Sequence, residues 1–292
     1  MTAYRFCRTD DVPLLVRAHN ACISEPIGVP PITVDEFRRW MRELDMWCSS
    51  CMVALEGSEP VGVLIAAKRA PASFIHRIGV RPEHRRRGHA RHMLESLARK
   101  MAILEPRLLL AEVSEEFPDA MRLLEACGYS RGDDLVDHLA DPLVDAAAVG
   151  DAPASLLRPS PVTLSELDAT GALAAEEPAT WLRSVAALRA VRDELRGLAF
   201  VSDLRIEAWL LYRDGPESAE RLVLAVGTGE GAAAGATMKA LLPLLLAARR
   251  ESRRPLRIPR LHSGEIPPAV LAAAGFVPAA AFATYSAEAA PG

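Results

Sequence analysis

FIHRIGVRPEHRRRGHARHMLESL, residues 74–97, changes character twice. It opens as an apolar run from Phe74 to Val80 and breaks at Arg81-Pro82. It then passes through five charged or imidazole residues, Glu83 to Arg87, and after Gly88 takes up helical spacing at Ala90, Met93, Leu94 and Leu97. This pattern predicts strand, basic turn, helix. A helix N-terminus carries unpaired backbone N–H groups and the positive end of the helix dipole, so a glycine-containing turn there can take up a phosphate. Arg85, Arg86, Arg87 and Arg91 add full positive charge at the same point. Taken alone, three consecutive arginines also fit a solvated turn or a patch that touches nucleic acid.

Two domains are expected of 292 residues, each large enough to bury its own core. Half the residues are hydrophobic and a quarter charged, as in an ordinary globular protein. The balance of 34 basic against 38 acidic residues, net −4, gives no general attraction to nucleic acid or to an anionic membrane. The first residues, MTAYRFCRTDD, lack the apolar run of a signal peptide. The most apolar helical segment, 236–248, contains Lys239 and Pro243 and is too short to span a bilayer. A cytoplasmic protein is expected, with no nucleic-acid or membrane partner. The five cysteines form no even framework. Cys48 and Cys51 lack the second pair or the histidines of a zinc site and the strand–helix context of a redox motif, so they read as free thiols and no metal is expected.

The segment Arg85-x-x-Gly88-x-Ala90 resembles the Arg/Gln-x-x-Gly-x-Gly/Ala motif of the GNAT acetyltransferase superfamily, and Ile78-Gly79-Val80-Arg81-Pro82 resembles the strand and exit that precede it. In that family the turn holds the pyrophosphate of acetyl-coenzyme A, which the resemblance assigns here to Arg85, Arg86, Arg87, Gly88, His89, Ala90 and Arg91. The family's sheet splays between its fourth and fifth strands, and the pantetheine arm pairs there like an added peptide strand. The resemblance gives that role to the backbone of Ile78, Gly79 and Val80. Downstream, Glu112-Val113, Ala120 and the run Leu123 to Tyr129 resemble the family's next strand, helix and Gly-Phe/Tyr corner.

Around this core the elements follow in order. A strand at 4–7 precedes a helix that starts at Thr9-Asp10-Asp11, and a loop at 25–31 precedes a second helix with the capping box Thr33-x-x-Glu36. By resemblance, residues 20–32 border the acceptor pocket. Residues 46–56 and 60–68 read as a hairpin, 108–113 as a strand, 119–127 as a helix ended by Gly128, and 134–139 as the closing strand of the first half. The second half repeats this plan, since Gly275 and Gly235 both lie 147 residues beyond their counterparts (275 − 128 and 235 − 88). Strands are expected at 205–212, 221–226 and 282–286. The fold expected is therefore α/β (α+β): two tandem GNAT-like domains, each a mixed, mostly antiparallel sheet flanked by helices. The boundaries are 1–142 for the acetyl-CoA-binding domain, 143–160 for an Ala/Asp/Pro linker and 161–292 for a degenerate copy. In the second half Ala232, Ala233 and Ala234 stand where the arginines stood, so that copy is not expected to bind coenzyme A. Members of the mycothiol-synthase branch keep the active copy at the C-terminus, and this chain departs from them.

Acetyl transfer to an amine needs a bound donor, a base for the amine proton and an acid for the leaving thiolate. The usual tyrosine and asparagine of the family are replaced by Leu124 and Phe117. Of the remaining groups His76 is the first candidate base, with an ordinary pKa of about 6.5, although alternation sets it on the face of Ile78 and Val80. Glu112 is the second, and His138 and Tyr129 stay open. The expected function is N-acetyl transfer from acetyl-CoA to a small-molecule or peptide amine by a monomer or homodimer. The alternative is a coenzyme A-binding regulatory or scaffold protein whose chemistry has decayed. Acidic residues at Glu25, Glu115, Glu116, Asp133 and Asp134 favour a cationic acceptor.

Overall fold

The computed structural model of the chain describes residues 1–142, 159–173, 180–202, 205–215, 220–228 and 234–289. Its contacts divide into two units, Met1–Asp133 with Phe282–Gly292, and Asp134–Ala281. Among the described residues no helix is long and apolar enough to cross a membrane.

In the first unit β1 (Thr2–Phe6), β2 (Met52–Glu56), β3 (Glu59–Arg69) and β4 (Ala72–Val80) pair antiparallel in sequence order. β4 then pairs in parallel with β5 (Leu108–Ser114), so the sheet is mixed and mostly antiparallel. Helix α3 (His89–Leu104) and helix α4 (Pro118–Ala126) cover one face. Met93, Leu94, Leu97 and Met101 recur at helical spacing, and all are buried with Leu64, Ala66, Ile75 and Leu109 of the sheet. β3 also buries Val63 and Ile65, the alternate residues, toward α1 (Val12–His19), so this strand reads as continuous apolar sequence. α2 (Val34–Leu44) begins with the expected capping box, in which Thr33 Oγ1 accepts from the Glu36 N–H at 3.2 Å and Glu36 Oε2 accepts from the Thr33 N–H at 2.6 Å.

Two elements differ from expectation. The first arm of the hairpin starts at Met52, because Cys48–Ser50 close a 3₁₀ turn whose Cys51 N–H returns to the Cys48 carbonyl. The end of the first helix differs in form, since Asn20–Ser24 continue α1 as a π-helical turn, and Glu25–Ile27, expected within the loop, make a further helical turn. The π-helical turn packs on β4 at Gly79, where a side-chain carbon would stand 2.5 Å from Ile23 Cγ1 and 2.7 Å from the Cys22 carbonyl oxygen.

The closing strands also differ. β6 (Ser130–Ala140) enters the second unit after Asp133, where Leu135, Val136, His138, Leu139 and Ala140 pair with β11 (Leu256–His262). The chain's last strand, β12 (Val277–Glu288), pairs with β5 from Phe282↔Ser114 to Glu288↔Leu108 and so completes the first unit. Each half thus takes its final strand from the other. Both strands carry the same inward alternation, so pattern alone does not fix which sheet each joins.

Within the second unit the strand order is β6, β11, β10 (Arg221–Thr228), β9 (Arg205–Asp214), β8 (Arg196–Ser202) and β7 (Ser160–Val162). It includes the short helices α5 (Leu164–Ala169), α6 (Val185–Ala190) and α8 (Pro268–Ala273) and the long α7 (Ala234–Arg250), which buries Leu241, Leu244, Leu245 and Ala248 against the sheet. The duplication is visible in detail. Gly128 and Gly275 both take left-handed φ, 85° and 76°, and in each corner the next N–H returns to a helix carbonyl: Tyr129 to Leu124 at 3.0 Å and Phe276 to Leu271 at 2.9 Å. The linker residues 143–158 and the alanine turn at 229–233 lie outside the described residues.

Two stability consequences follow from this packing. Tyr285 on β12 is wholly buried in the first unit's core, so Tyr285→Ala is expected to cost about 3–5 kcal/mol in urea denaturation. A cost below about 1 kcal/mol would mean that β12 does not complete this sheet. Gly79→Ala is expected to cost about 1–3 kcal/mol, because its clash is partly with backbone that cannot rotate away. Gly62→Ala, whose tightest contact is the flexible Met93 Cε at 3.1 Å, should cost less.

Candidate functional site

The ladder between β4 and β5 runs from Ala72↔Leu108 to Ile75↔Ala111, and among the described residues no pair follows it. Beyond that point β4 continues to Val80 against β3 alone, while β5 continues to Ser114 against β12. From Ile78 to Val80 the ladder of β4 is with β3, and no described pair joins these three residues to β5. Gly79 has a packing role there too, through its contact with the π turn.

The strand leads into the basic turn through a 3₁₀ turn, Pro82–His84, and Arg85 Nε reaches back to the Val80 carbonyl at 3.1 Å. Arg86 takes a left-handed φ of 62° and Gly88 one of 84°. Left-handed residues in a short turn curl successive N–H groups to one side, the backbone form that makes anion-binding concavities. The curl delivers Gly88 as the N-cap of α3, with no side-chain cap on the helix. The first-turn N–H groups of His89, Ala90 and Arg91 have no carbonyl within the helix to reach. Open space lies in front of Gly88, where a side-chain carbon would meet nothing within 4 Å. Arg85, Arg86, Arg87 and Arg91 are exposed around it. Arg86 extends to Asp119 at the start of α4 at 3.4 Å, and Arg122 first and Arg86 second hold that carboxyl below its ordinary pKa. The arrangement fits a polyanionic group such as a pyrophosphate. His89 differs from the other turn residues: its imidazole is buried, with Nδ1 at 2.5 Å from the Tyr4 hydroxyl, so only its backbone faces the turn.

His76 sits in a β-bulge. The register passes from Ile65↔Arg77 to Ala66↔Ile75, leaving His76 as the extra residue. The bulge corrects the alternation reading, because Ile75, Ile78 and Val80 join the core under α3 while His76 leaves that face. Its half-buried ring packs edge-on against Trp40 of α2 at 5.2 Å and lies 6.3 Å from the Phe74 ring. Trp40 also meets the His19 ring at 5.4 Å, and His19 Nδ1 lies 3.2 Å from Ser24 Oγ. Burial holds the His19 pKa below its ordinary value, so this imidazole is neutral at pH 7. Glu112 is opposite Thr284 in the β5–β12 ladder, and alternation from Ala111 sets it on the face of Leu110 and Phe74. His76 and Glu112 thus lie on neighbouring strands, on one face, just past the point where the ladder stops.

Tyr129 and His138 fall elsewhere. Tyr129 is buried in the core with Leu124, and burial pushes its phenol pKa up, so it stays protonated. His138 belongs to the second unit, opposite Ile258. Glu25 occupies a short helical turn, Glu25–Ile27, and Glu115 pairs with Arg131 at 3.1 Å. A groove of about 580 Å³ opens beside α1, lined by Arg17, Asn20, Ser24, Val29 and Pro31 among others, and includes neither His76 nor Glu112. The cysteines are free thiols, and burial raises the pKa of Cys7 to about 12 and of Cys22 to about 11, with Cys48 and Cys51 raised likewise. Sequence reading missed Trp40 as the neighbour of His76 and of His19, because these contacts need the bulge and the π turn, neither of which has a residue signature here.

The second unit repeats the parted ladder with a different filling. β10 and β11 pair in parallel only at Arg221↔Leu256 and Leu222↔Arg257, and a bulge against β9 isolates Leu224 where the first unit has His76. Arg183, its side chain 4% exposed, donates Nε to the Leu224 carbonyl on β10 at 3.0 Å and Nη1 to the Arg260 carbonyl on β11 at 3.2 Å. Glu265 closes an ion pair on the same guanidinium, accepting from Nη1 at 2.8 Å and also from Nη2. The gap is bridged by the protein's own side chain.

Residues 17–129 match the acetyltransferase (GNAT) family. A comparison with curated proteins finds no sequence match. Among solved structures, a GCN5-related N-acetyltransferase from Sphaerobacter thermophilus aligns with a TM-score of 0.69 at 17% identity over 100% of this chain and 96% of that one. A tandem GNAT protein from the clavulanic acid biosynthesis pathway aligns at 0.64 with 19% identity over 100% of both chains. A GCN5-related N-acetyltransferase from Kribbella flavida aligns at 0.60 with 13% identity over 98% of this chain and 70% of that one. At such identities the likeness concerns the fold, which is that of tandem GNAT-like domains. The segment with the matching sequence is the one that holds the parted strands and the basic turn: residues 17–129 match the acetyltransferase (GNAT) family, in a chain whose fold is similar to that of tandem GNAT proteins.

Proposed function

We propose that the N-terminal unit binds acetyl-CoA and transfers its acetyl group to an amine, and that the second unit binds no donor. The observation that carries this reading is the contrast between the two parted ladders. In the first unit the strand that parts from β5 after Ile75 leads straight into an uncapped helix ringed by arginines. In the second unit the equivalent gap holds the Arg183 guanidinium and its Glu265 partner.

The residues suited to hold the donor are Arg85, Arg86, Arg87 and Arg91 with the N–H groups of Gly88, His89 and Ala90 for the pyrophosphate, and the backbone of Ile78, Gly79 and Val80 for the amide-bearing arm. When bound, acetyl-CoA supplies an activated acyl group. The chain's own part is then to orient an amine and take its proton. His76 is suited to that step, since its ring is held by Trp40 beside the end of the ladder. Glu112, on the same face of the next strand, is the second candidate and adds a negative charge that draws a cationic amine. The acceptor is a small-molecule or peptide amine.

Calorimetric titration of the intact chain with acetyl-CoA tests the donor claim, and one site per chain is expected. Two sites would overturn the reading of the second unit, and none would overturn the whole proposal. Replacing Arg85 and Arg86 together by Ala should weaken binding by about 100-fold or more, since each charge-assisted hydrogen bond contributes about 1.5–3 kcal/mol. Unchanged affinity would move the phosphate site away from this turn.

The proton-transfer claim needs turnover, read as thiol release against a panel of amines. His76→Ala is expected to lower kcat by about 100-fold or more while leaving the dissociation constant of acetyl-CoA within about threefold. Equal loss of both would reduce His76 to a packing role. Tight binding without turnover on any amine would support the alternative of a decayed, coenzyme A-binding regulatory protein.

A further inference from the structure

We propose that Glu56, His84 and His89 form a binding site for one first-row divalent transition-metal ion of the zinc, nickel or copper class. The three side chains arrive from separate elements: Glu56 ends β2, His84 ends the 3₁₀ turn after β4, and His89 begins α3. Each offers one ligand atom, and these atoms all lie within 4.8 Å of one another. Glu56 Oε1 and His84 Nδ1 are already 3.5 Å apart. Ligands on one zinc ion at bond lengths of about 2.1 Å are roughly 3.4 Å apart, so a rotation of the partly exposed Glu56 and His84 side chains closes the remainder.

Two features separate this cluster from a chance meeting of surface groups. First, His89 Nε2 is buried with no hydrogen-bond partner and His89 as a whole is only 7% exposed, while buried His84 Nδ1 has only the 3.5 Å approach of Glu56 Oε1. A buried polar atom left unpaired costs about 1–3 kcal/mol, a cost that a bound cation removes. Second, the outer contacts are those that orient metal ligands. The Tyr4 hydroxyl lies 2.5 Å from His89 Nδ1; with the ring proton on Nδ1 and donated to the Tyr4 oxygen, the Nε2 lone pair points back into the cluster. Thr2 Oγ1 donates to Glu56 Oε1 at 3.0 Å, the oxygen nearest His84 Nδ1, and so fixes the carboxylate. Thr2 sits opposite Glu56 in the β1–β2 ladder, so the support is built into the sheet.

The donor set decides the ion class. Two imidazoles and one carboxylate suit zinc, nickel or copper and are poor for magnesium or calcium, which prefer oxygen ligands throughout. Three protein ligands leave a fourth position for water. Because His84 and His89 bracket the turn from Arg85 to Gly88, a bound ion would fix the ends of that turn and change donor affinity. This coupling rests on the donor reading above, while the site itself does not.

The test uses the full chain, stripped with a chelator, and titrates Co²⁺ and Zn²⁺ by calorimetry, with visible absorption reporting the coordination of Co²⁺. One ion per chain is expected, with the strong visible bands of a four- or five-coordinate cobalt site and no displacement by a large excess of Mg²⁺. His84→Ala and Glu56→Gln, both at partly exposed positions, should each weaken binding by about tenfold or more, with circular dichroism matching the parent. Tyr4→Phe removes only the orienting hydroxyl and should weaken binding by several-fold. Failure of the folded chain to bind either ion overturns the proposal, as does stoichiometric binding that survives both substitutions. Acetyl-CoA titrations with and without Zn²⁺ then read the coupling. Metal binding without any acetyl-CoA binding would uphold the metal site and sink the donor reading instead.

Discussion

The parting of β4 from β5 after Ile75 is the constraint on which the candidate site depends. A parallel ladder that stops midway leaves backbone groups facing a gap, and such groups need partners. The first unit can hold this arrangement because both strands are secured on their other sides. β3 follows β4 as far as Val80, and β12 follows β5 for its full length. The bulge at His76 belongs to the same device. It adds a residue on the β3 side just where the β5 side is released, and it rotates the imidazole out of the α3 core toward Trp40.

The second unit shows the same problem solved in another way. Its parallel pair is shorter still, and its bulge carries Leu224 in place of an imidazole. The gap between β10 and β11 is bridged by Arg183, whose guanidinium donates to a carbonyl on each strand while Glu265 balances its charge. A planar cation with five donors can satisfy several acceptors at once, which a lysine or an apolar side chain cannot. Burying that charge is tolerable only with Glu265 beside it. The second sheet thus keeps a parted ladder and bridges it with a side chain of its own.

Much of this was legible in the residues. The strand–turn–helix at 74–97, the Thr33–Glu36 capping box, the glycine corners at 128 and 275 and the mixed sheet all rest on local spacing, and the structure has them. What the residues hid was set by tertiary contacts. Alternation put His76 on the wrong face, because one extra residue in a bulge reverses every later assignment and leaves no mark in composition. The π turn at 20–24 read as the end of a helix. Arg183 and Glu265 are 82 residues apart, and neither belongs to a motif. The histidines at 84 and 89 were legible as part of the basic turn, but their approach to Glu56 depends on how β2 ends beside that turn.

The exchange of closing strands bears on why a second copy without a phosphate turn of the first kind is kept. β5 is the strand that β4 releases, and its remaining support is β12, which comes from the last residues of the chain. Glu112 is held opposite Thr284, and Tyr285 is buried beside Leu109 and Ala111 in the first unit's core. A chain ending after the first half would therefore leave β5 unpaired along both edges beyond Ala111 and would expose the apolar face that Tyr285 covers. Such an edge is unstable in water and open to pairing with other strands. Conversely, β6 supplies the strand against which β11 is paired, so the second half is not a complete sheet by itself either. Each half depends on covalent continuity with the other for a strand that its own fold requires, and that dependence is a sufficient physical reason for retaining the second copy.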